Sequence, residues 1–308
     1  MLIGVFTKNK DKDRFGGYHC SPCKIYKVLD EMFNLYGIRY EVNNYSNKYK
    51  FSIVDRVKPT ISIQSKYILN ISETCKRYSW STHNAFVSPS VKKIGDNEFY
   101  LLNYCHGKKI SAEDLCLKRS GGVYIGRYSK LAEFKVSILA KKGLVKDVYP
   151  IKYWKGKSIL RFHKEADDYL ANLEYLQSRN EKVRVMRPLN HSELYSGLNK
   201  RAYSFGFVPS IYPLSSKLIQ AESSSKFFEY IGCGIPVLIE GNVPEAKIVL
   251  RNPFLGEVYY GESEMLKKAH KLNSVTYDYC KILKYSQSKH YPDSRAKTIY
   301  KKFITEGG

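Results

Sequence analysis

The chain has 308 residues, of which 43% are hydrophobic, so it can form one large domain or two of moderate size and is not a disordered tail. Its 51 basic and 29 acidic side chains give a net charge of +22, spread along the sequence. This favours a basic surface with a polyanionic partner such as nucleic acid, anionic lipid or an acidic glycan, the alternative being a solubility feature. With seven irregularly spaced cysteines and no apolar run near 18 residues, the sequence predicts a cytoplasmic protein that does not cross a membrane.

The first third of the chain predicts a βαβ unit and therefore a parallel sheet. An apolar strand over 2–7 is followed by a polar loop and a helix that begins after Ser21 and Pro22 and ends at Gly37. Further strands are predicted over 38–42, 51–55 and 60–64.

A polar stretch over 108–121 that ends in glycines predicts a boundary, after which a second set of alternating elements begins. Val123 to Gly126 form a strand, and the following helix carries Phe134, Ile138 and Leu139 before Gly143 ends it. The remaining predicted elements are a strand over 158–163, a helix through Leu176, a strand over 183–186, a helix over 192–198 and a strand over 205–208.

Residues 222–241 predict a serine-capped helix, ended by glycines, and a buried strand. Lys226 and Glu229 are three residues apart and share one face near the helix N-terminus, where free N–H groups and the helix dipole favour an anion. A lysine there suits a phosphate, and a carboxylate can accept two hydroxyls of a sugar. The alternative is an ordinary amphipathic helix that carries a surface ion pair.

The pattern Ser225-Lys226-x-x-Glu229-Tyr230-x-x-x-Gly234-x-Pro236-Val237 resembles the donor-binding signature of GT-B glycosyltransferases. The resemblance implies that Glu229 binds the ribose of a nucleotide sugar and that the helix N-terminus, with Ser225 and Lys226, faces the diphosphate. Many retaining members carry two glutamates eight apart. Here Glu222 and Glu229 are seven apart and residue 221 is alanine, so retention and inversion both stay open.

Two other segments resemble the same family. Gly16 and Gly17 correspond to a glycine pair between the first strand and first helix, near the sugar and diphosphate. Arg127 and Lys135 take the positions of two cations that neutralise the donor diphosphate and help it leave, with Lys130 as a substitute for the lysine. Without the family, two surface cations would be the favoured interpretation.

The resemblance implies an α/β fold with two Rossmann-like domains facing a cleft (GT-B). The expected bounds are 1–115 for an N-terminal acceptor-side domain and 116–290 for a domain that binds the nucleotide sugar. Residues 291–308 are expected to form a C-terminal helix that packs back on the first domain.

An inverting enzyme also needs a base for the acceptor hydroxyl, and the candidates are Asp13, beside the glycine loop, and His83, after an aromatic segment. Other possibilities are Asp11, His19 and His106. Asp11-Lys12-Asp13 spells a DxD motif, which binds a metal in another glycosyltransferase fold. Because GT-B enzymes use basic side chains for that task, we expect no catalytic metal.

The expected activity is hexosyl or pentosyl transfer from a nucleotide sugar, most simply a UDP-sugar, to a hydroxyl acceptor. The spread of positive charge favours DNA, as in phage enzymes that glycosylate hydroxymethylated pyrimidines. One alternative is a membrane-surface enzyme acting on a lipid-linked or polysaccharide acceptor. A second is a non-catalytic, basic nucleic-acid-binding protein on a degenerate glycosyltransferase scaffold.

Overall fold

The structure, a computed structural model, describes residues 1–7, 24–55, 63–72, 77–91, 95–105, 107–115, 118–126, 130–150, 183–186, 191–211 and 224–307. The described residues divide into two compact units. Unit 1 comprises residues 1–105 and 287–307, and unit 2 comprises 107–211 and 224–286.

The described residues form twelve strands and eight α-helices. The strands are β1 (Leu2–Thr7), β2 (Arg39–Val42), β3 (Tyr49–Asp55), β4 (Ser65–Ser72), β5 (His83–Phe86), β6 (Glu98–Tyr100), β7 (Gly122–Gly126), β8 (Val145–Pro150), β9 (Arg184–Val185), β10 (Phe205–Val208), β11 (Val237–Glu240) and β12 (Gly256–Tyr259). The helices are α1 (Lys24–Tyr36), α2 (Lys130–Lys141), α3 (His191–Lys200), α4 (Ser225–Gly232), α5 (Ala246–Arg251), α6 (Glu262–Ser274), α7 (Tyr279–Lys289) and α8 (Pro292–Ile299), with a 3₁₀ turn at Pro253–Leu255 and a π-helical turn at Tyr300–Thr305.

Unit 1 is a parallel sheet with the strand order β2-β1-β3-β4-β5-β6. Its main core joins α1 and α8 to one face of this sheet through buried side chains such as Leu29, Met32, Ile53 and Ile299. Gly37 ends α1 with a positive φ of 65°, a conformation that glycine adopts without strain.

Unit 2 is a parallel sheet with the order β12-β11-β10-β7-β8-β9. From β7 the chain moves outward through β8 and β9, and then returns to place β10, β11 and β12 on the other side of β7. This is the strand order of the dinucleotide-binding Rossmann fold. The strands are buried on both faces, as β10 illustrates with four buried residues, which explains their short apolar sequences.

The prediction of a strand over 60–64 is wrong for Ile63 and Gln64, which precede β4. Both TISIQ and SKYILNIS contain isoleucines and are short, so local propensity does not choose between them. The register with β3, in which Tyr49 pairs with Ser65, selects the second segment. The predicted strand over 158–163 and the helix through Leu176 lie outside the described residues.

None of the helices within the described ranges has the length and apolar composition that crossing a bilayer requires.

Candidate functional site

The sheet of unit 2 changes its winding direction between β7 and β10. These two strands are neighbours, yet the chain leaves them toward opposite sides of the sheet. In open α/β sheets, ligands bind outside the carboxyl ends of the strands at such a point. The carboxyl ends here are Gly126 and Val208, and the N-terminus of α4 follows β10 in the chain.

Lys226, in the first turn of α4, lies against the carboxyl end of β7. A Cβ atom added at Gly126 would be 2.8 Å from Cε of Lys226, and Gly126 has a φ of +109°. The positive φ favours glycine at this position, and the short distance shows how closely the lysine side chain approaches the strand. The lysine ammonium lies 5.6 Å from the ring centroid of Tyr124 on β7. The sequence selected Gly126 and the helix start at Ser225-Lys226 separately. They meet where the sheet changes its winding direction, which we call the switch point.

Glu229 is almost completely buried, with 1% of its surface exposed. Its Oε2 accepts a hydrogen bond of 2.8 Å from the hydroxyl of Tyr195 on α3. The Tyr195 ring is itself confined, because Cβ atoms added at Gly107 or Gly232 would come within about 2.5–2.9 Å of it. The tyrosine therefore fixes the orientation of the Glu229 carboxylate.

Tyr230 separates β7 from β10 just before their carboxyl ends. Its hydroxyl accepts a hydrogen bond from the Ile125 N–H at 2.8 Å and donates one to the Val123 carbonyl at 3.1 Å. The direct pairing of the two strands covers Phe205 with Gly122 and Gly206 with Val123. A Cβ atom on Gly206 would lie 2.2 Å from the Tyr230 ring, so the glycine makes room for the phenol. The side chain takes over hydrogen bonds that a closer β10 would make.

Lys135 is engaged by Glu240, at the carboxyl end of β11. Its Nζ atom donates to Oε2 of Glu240 at 2.5 Å. The same oxygen accepts from the Ser210 N–H at 2.8 Å and from the Tyr259 hydroxyl at 3.3 Å. Burial, followed by the charge of Glu240, raises the pKa of Tyr259 well above its ordinary value. A role for Lys135 at a diphosphate would require its pair with Glu240 to open.

His83 lies at the amino end of β5, whereas ligands of parallel sheets bind at the carboxyl ends. Its ring packs edge-on against Phe303 at 5.2 Å and Tyr67 at 6.5 Å, and Nδ1 is 2.9 Å from the Thr82 hydroxyl. Burial lowers its pKa. These contacts bury His83 within unit 1, at the opposite end of β5 from the carboxyl edge of the sheet.

The other sequence candidates have limited structural descriptions. Asp13, Gly16, Gly17 and Arg127, like Asp11, His19 and His106, lie outside the described residues. Lys130 is the first residue of α2. Ser225 is the first residue of α4, and the side chain of the preceding Ser224 makes no capping hydrogen bond.

Sequence reasoning gave no role to Tyr195, Tyr230, Glu240 and Asp55, although Tyr230 is part of the motif. Asp55 ends β3 and is 2% exposed; it pairs in register with Thr7 at the end of β1, where unit 1 also changes its winding direction. Asn43 fixes that end of β1 by accepting from the Thr7 N–H and donating to the Thr7 carbonyl, both at 3.0 Å. Asp55 could have been found from the sequence, because it is an acidic residue directly after the strand-like segment FSIV.

No protein-family model matches the chain, and no curated protein matches it by sequence. Solved structures do match in fold. AviGT4, a glycosyltransferase involved in avilamycin A biosynthesis, has a TM-score of 0.68 and 10% identity, with 100% of this chain and 98% of that chain covered.

The lipopolysaccharide outer core galactosyltransferase WaaB has a TM-score of 0.64 and 11% identity, with 99% and 100% of the two chains covered. An α,α-trehalose-phosphate synthase (UDP-forming) from Burkholderia xenovorans has a TM-score of 0.62 and 7% identity, with 98% and 99% covered. The two parallel six-stranded sheets and these similarities together show that the chain has the GT-B fold, with two Rossmann-like domains in one polypeptide.

Proposed function

We propose that this protein is a glycosyltransferase that takes its sugar from a nucleotide-sugar donor bound to unit 2. The observation that carries the proposal is the contact of Lys226 with Gly126 at the switch point. It puts a cation and a helix N-terminus at the place where Rossmann-like domains bind diphosphates. The matched solved structures include three enzymes of sugar transfer or sugar-phosphate synthesis, one of them described as UDP-forming.

In the proposed reaction, the bond between the anomeric carbon and the diphosphate oxygen breaks, a bond to the acceptor oxygen forms, and the acceptor hydroxyl gives its proton to a base. The nucleoside diphosphate leaves with the negative charge, which Lys226 and the N–H groups of α4 stabilise. Arg127 directly follows Gly126 in the chain, so we retain it as a second cation for the leaving group. Glu229, oriented by Tyr195, accepts the ribose hydroxyls.

The finer assignments remain proposals of this article. We propose UDP as the nucleotide and a hexose or pentose as the transferred sugar. For the acceptor we retain a hydroxymethylated pyrimidine in DNA, supported by the net charge of +22. For the base we retain Asp13, and we add Asp55 because it ends a strand at the switch point of unit 1.

The first test is calorimetric titration with UDP, uridine and inorganic pyrophosphate. We expect Lys226→Gln to weaken UDP and pyrophosphate by about 10- to 100-fold, since a charge-assisted hydrogen bond contributes about 1.5–3 kcal/mol, and to leave uridine nearly unchanged. Glu229→Gln should weaken UDP and uridine but not pyrophosphate. Lys267→Gln, which changes an exposed lysine on α6, is the matched control.

Unchanged UDP affinity in both variants would contradict the donor site. The acceptor is tested separately, by UDP release from UDP-glucose with and without duplex DNA that contains hydroxymethylated pyrimidines. UDP binding without release on this DNA would reject the DNA acceptor and leave lipid-linked or polysaccharide acceptors. No nucleotide binding by the wild-type protein would favour the non-catalytic scaffold.

A further inference from the structure

Exposed cations are concentrated at the amino ends of four adjacent strands in unit 2. These strands are β10, β7, β8 and β9, which are neighbours in the sheet in that order. Basic residues lie at or near the first residue of each strand. We call these residues the amino-edge cluster: Lys118, Lys141, Lys142, Lys146, Arg184, Lys200 and Arg201. The cluster lies at the opposite edge of the sheet from Gly126.

Contacts between three of these segments hold the centre of the cluster together. Lys146 donates from Nζ to the Ser120 hydroxyl at 3.2 Å and to the Arg201 carbonyl at 3.4 Å. Arg184 binds Asp147 through two hydrogen bonds of 2.7 and 3.1 Å, and Arg201 lies 3.8 Å from the same carboxylate. One fully buried carboxylate therefore gathers cations from separate loops at one place.

The cluster carries more positive charge than its own carboxylate balances. Burial lowers the pKa of Lys146, and the charges of Arg184 and Arg201 lower it further, against an opposing effect of Asp147. Helix dipoles account for the cations that end α2 and α3. Asp147 pairs with Arg184 and Arg201, but one carboxylate does not balance these two charges and that of the neighbouring Lys146, so an external anion would be stabilised here.

Besides the buried Asp147 at the centre, exposed acidic side chains of the described residues lie near one end of this row of strands. There Asn199 donates to the backbone carbonyl of Asp114, which brings the exposed Glu113 and Asp114 near the end of α3. The exposed side chains of the rest of the row are basic, so this edge presents a positive electrostatic potential to the solvent.

The geometry fits a linear phosphate polymer better than a lipid surface. Four adjacent strands span about 14 Å, since neighbouring strands are about 4.8 Å apart. Duplex DNA presents about eight phosphates over that length. Stable attachment to a membrane usually adds apolar insertion. The described parts of these loops, 118–121, 141–146 and 199–203, contain no exposed large apolar side chain.

We propose that the amino-edge cluster binds the phosphate backbone of a nucleic acid without sequence specificity. The proposal does not depend on glycosyl transfer, because the cluster and Lys226 lie at opposite edges of the sheet. The proposal assigns part of the net positive charge to a defined surface. It also gives that surface a binding partner, whether or not DNA is the acceptor of the glycosyl transfer.

The test uses the full chain and a fluorescein-labelled 20-base-pair duplex, with anisotropy measured over a range of salt concentrations. The variant Lys141→Gln/Lys142→Gln/Lys200→Gln avoids the residues that compensate Asp147. We expect it to weaken binding at least tenfold at 0.1 M salt. The slope of log affinity against log salt should fall by about two to three, at about 0.9 for each lost phosphate contact.

The matched control, Lys48→Gln/Lys267→Gln/Lys284→Gln, removes the same charge from exposed positions elsewhere. It should lose less than twofold in affinity. Equal losses in both variants would overturn the proposal, because binding would then follow net charge alone. So would the absence of duplex binding by the wild-type protein, or binding only to vesicles of anionic phospholipid.

Discussion

Tyr230 has a structural role that its place in the sequence motif does not reveal. The motif places it next to Glu229, on a helix, but its hydroxyl reaches the backbone of β7. Burial raises the pKa of this hydroxyl, so it remains a neutral donor and acceptor at all ordinary pH values. By keeping β7 and β10 apart, it positions Gly126 and therefore the contact with Lys226.

We expect Tyr230→Phe to destabilise the protein by about 1–3 kcal/mol, because the Ile125 N–H and Val123 carbonyl lose a buried partner. It should also weaken UDP binding several-fold, since the end of β7 is free to shift. Urea unfolding and calorimetry measure the two effects.

Tyr149→Phe is the matched control, because it removes another buried hydroxyl of unit 2, which contacts Tyr203 at 3.0 Å. It should reduce stability without changing UDP affinity. If both variants bind UDP like the wild type, Tyr230 serves stability alone and does not position the site.

At the level of elements, the sequence predicted some strands and helices well, but it did not predict β8, although Gly143 and Pro150 bound it, nor β5, β6 and β12. β1, α1, β7 and β10 agree with their predicted positions to within a few residues. β4 differs because its position depends on pairing with β3. The contact of Lys226 with Gly126 could not be predicted from spacing, since it joins two segments a hundred residues apart through the strand order.

The turn between α7 and α8 depends on a buried arginine. Arg295 donates to the carbonyls of Leu102 and Asn103, both at 2.6 Å, and to that of Lys289 at 2.7 Å. It also contacts Nδ1 of His290 at 3.0 Å. Burial, with the charges of Arg295 and Lys289, lowers the pKa of His290 to about 3. This turn therefore requires a neutral histidine.

We expect His290 to make the protein acid-sensitive. The unfolded state takes up a proton below about pH 6.5, while the folded state does not until about pH 3, so stability falls as the pH decreases between these values. The loss from this residue should approach about 1.4 kcal/mol per pH unit. Urea unfolding from pH 7 to pH 4.5 measures it. In His290→Asn, which keeps an acceptor for Arg295, this part of the slope should vanish; an unchanged slope would assign the effect to other groups.

At the level of the whole molecule, unit 1 is built from two distant stretches of chain. Residues from 287 onward supply Ala296, Ile299 and Phe303 to its core. Tyr300 stacks on Tyr36 of α1 with ring centroids 3.8 Å apart. Unit 2 takes all of its described residues from 107–286.

We expect truncation after Ser286 to unfold unit 1 and to leave unit 2 folded, because the core of unit 1 loses three buried side chains and the Arg295 hydrogen bonds. Hydrogen exchange followed by mass spectrometry should show protection lost in β1 and β3 but retained in β7 and β10. A shorter truncation after Ile304 keeps Phe303 and should preserve both units. Protection retained in β1 after the longer truncation would contradict this division.

Because unit 1 is built from two distant stretches of chain, the ribosome synthesises its two parts at different times. Its sheet is complete once residue 105 has been made, but the segment that seals it begins at 287. At about 5–20 residues per second, synthesis of the intervening segment takes on the order of 10 to 40 s. During that interval the apolar face beneath α8 stays uncovered, and the chain of unit 2 is complete only when the interval ends. We therefore expect the nascent chain to expose apolar surface of unit 1 to chaperones until residues from 287 onward have been made.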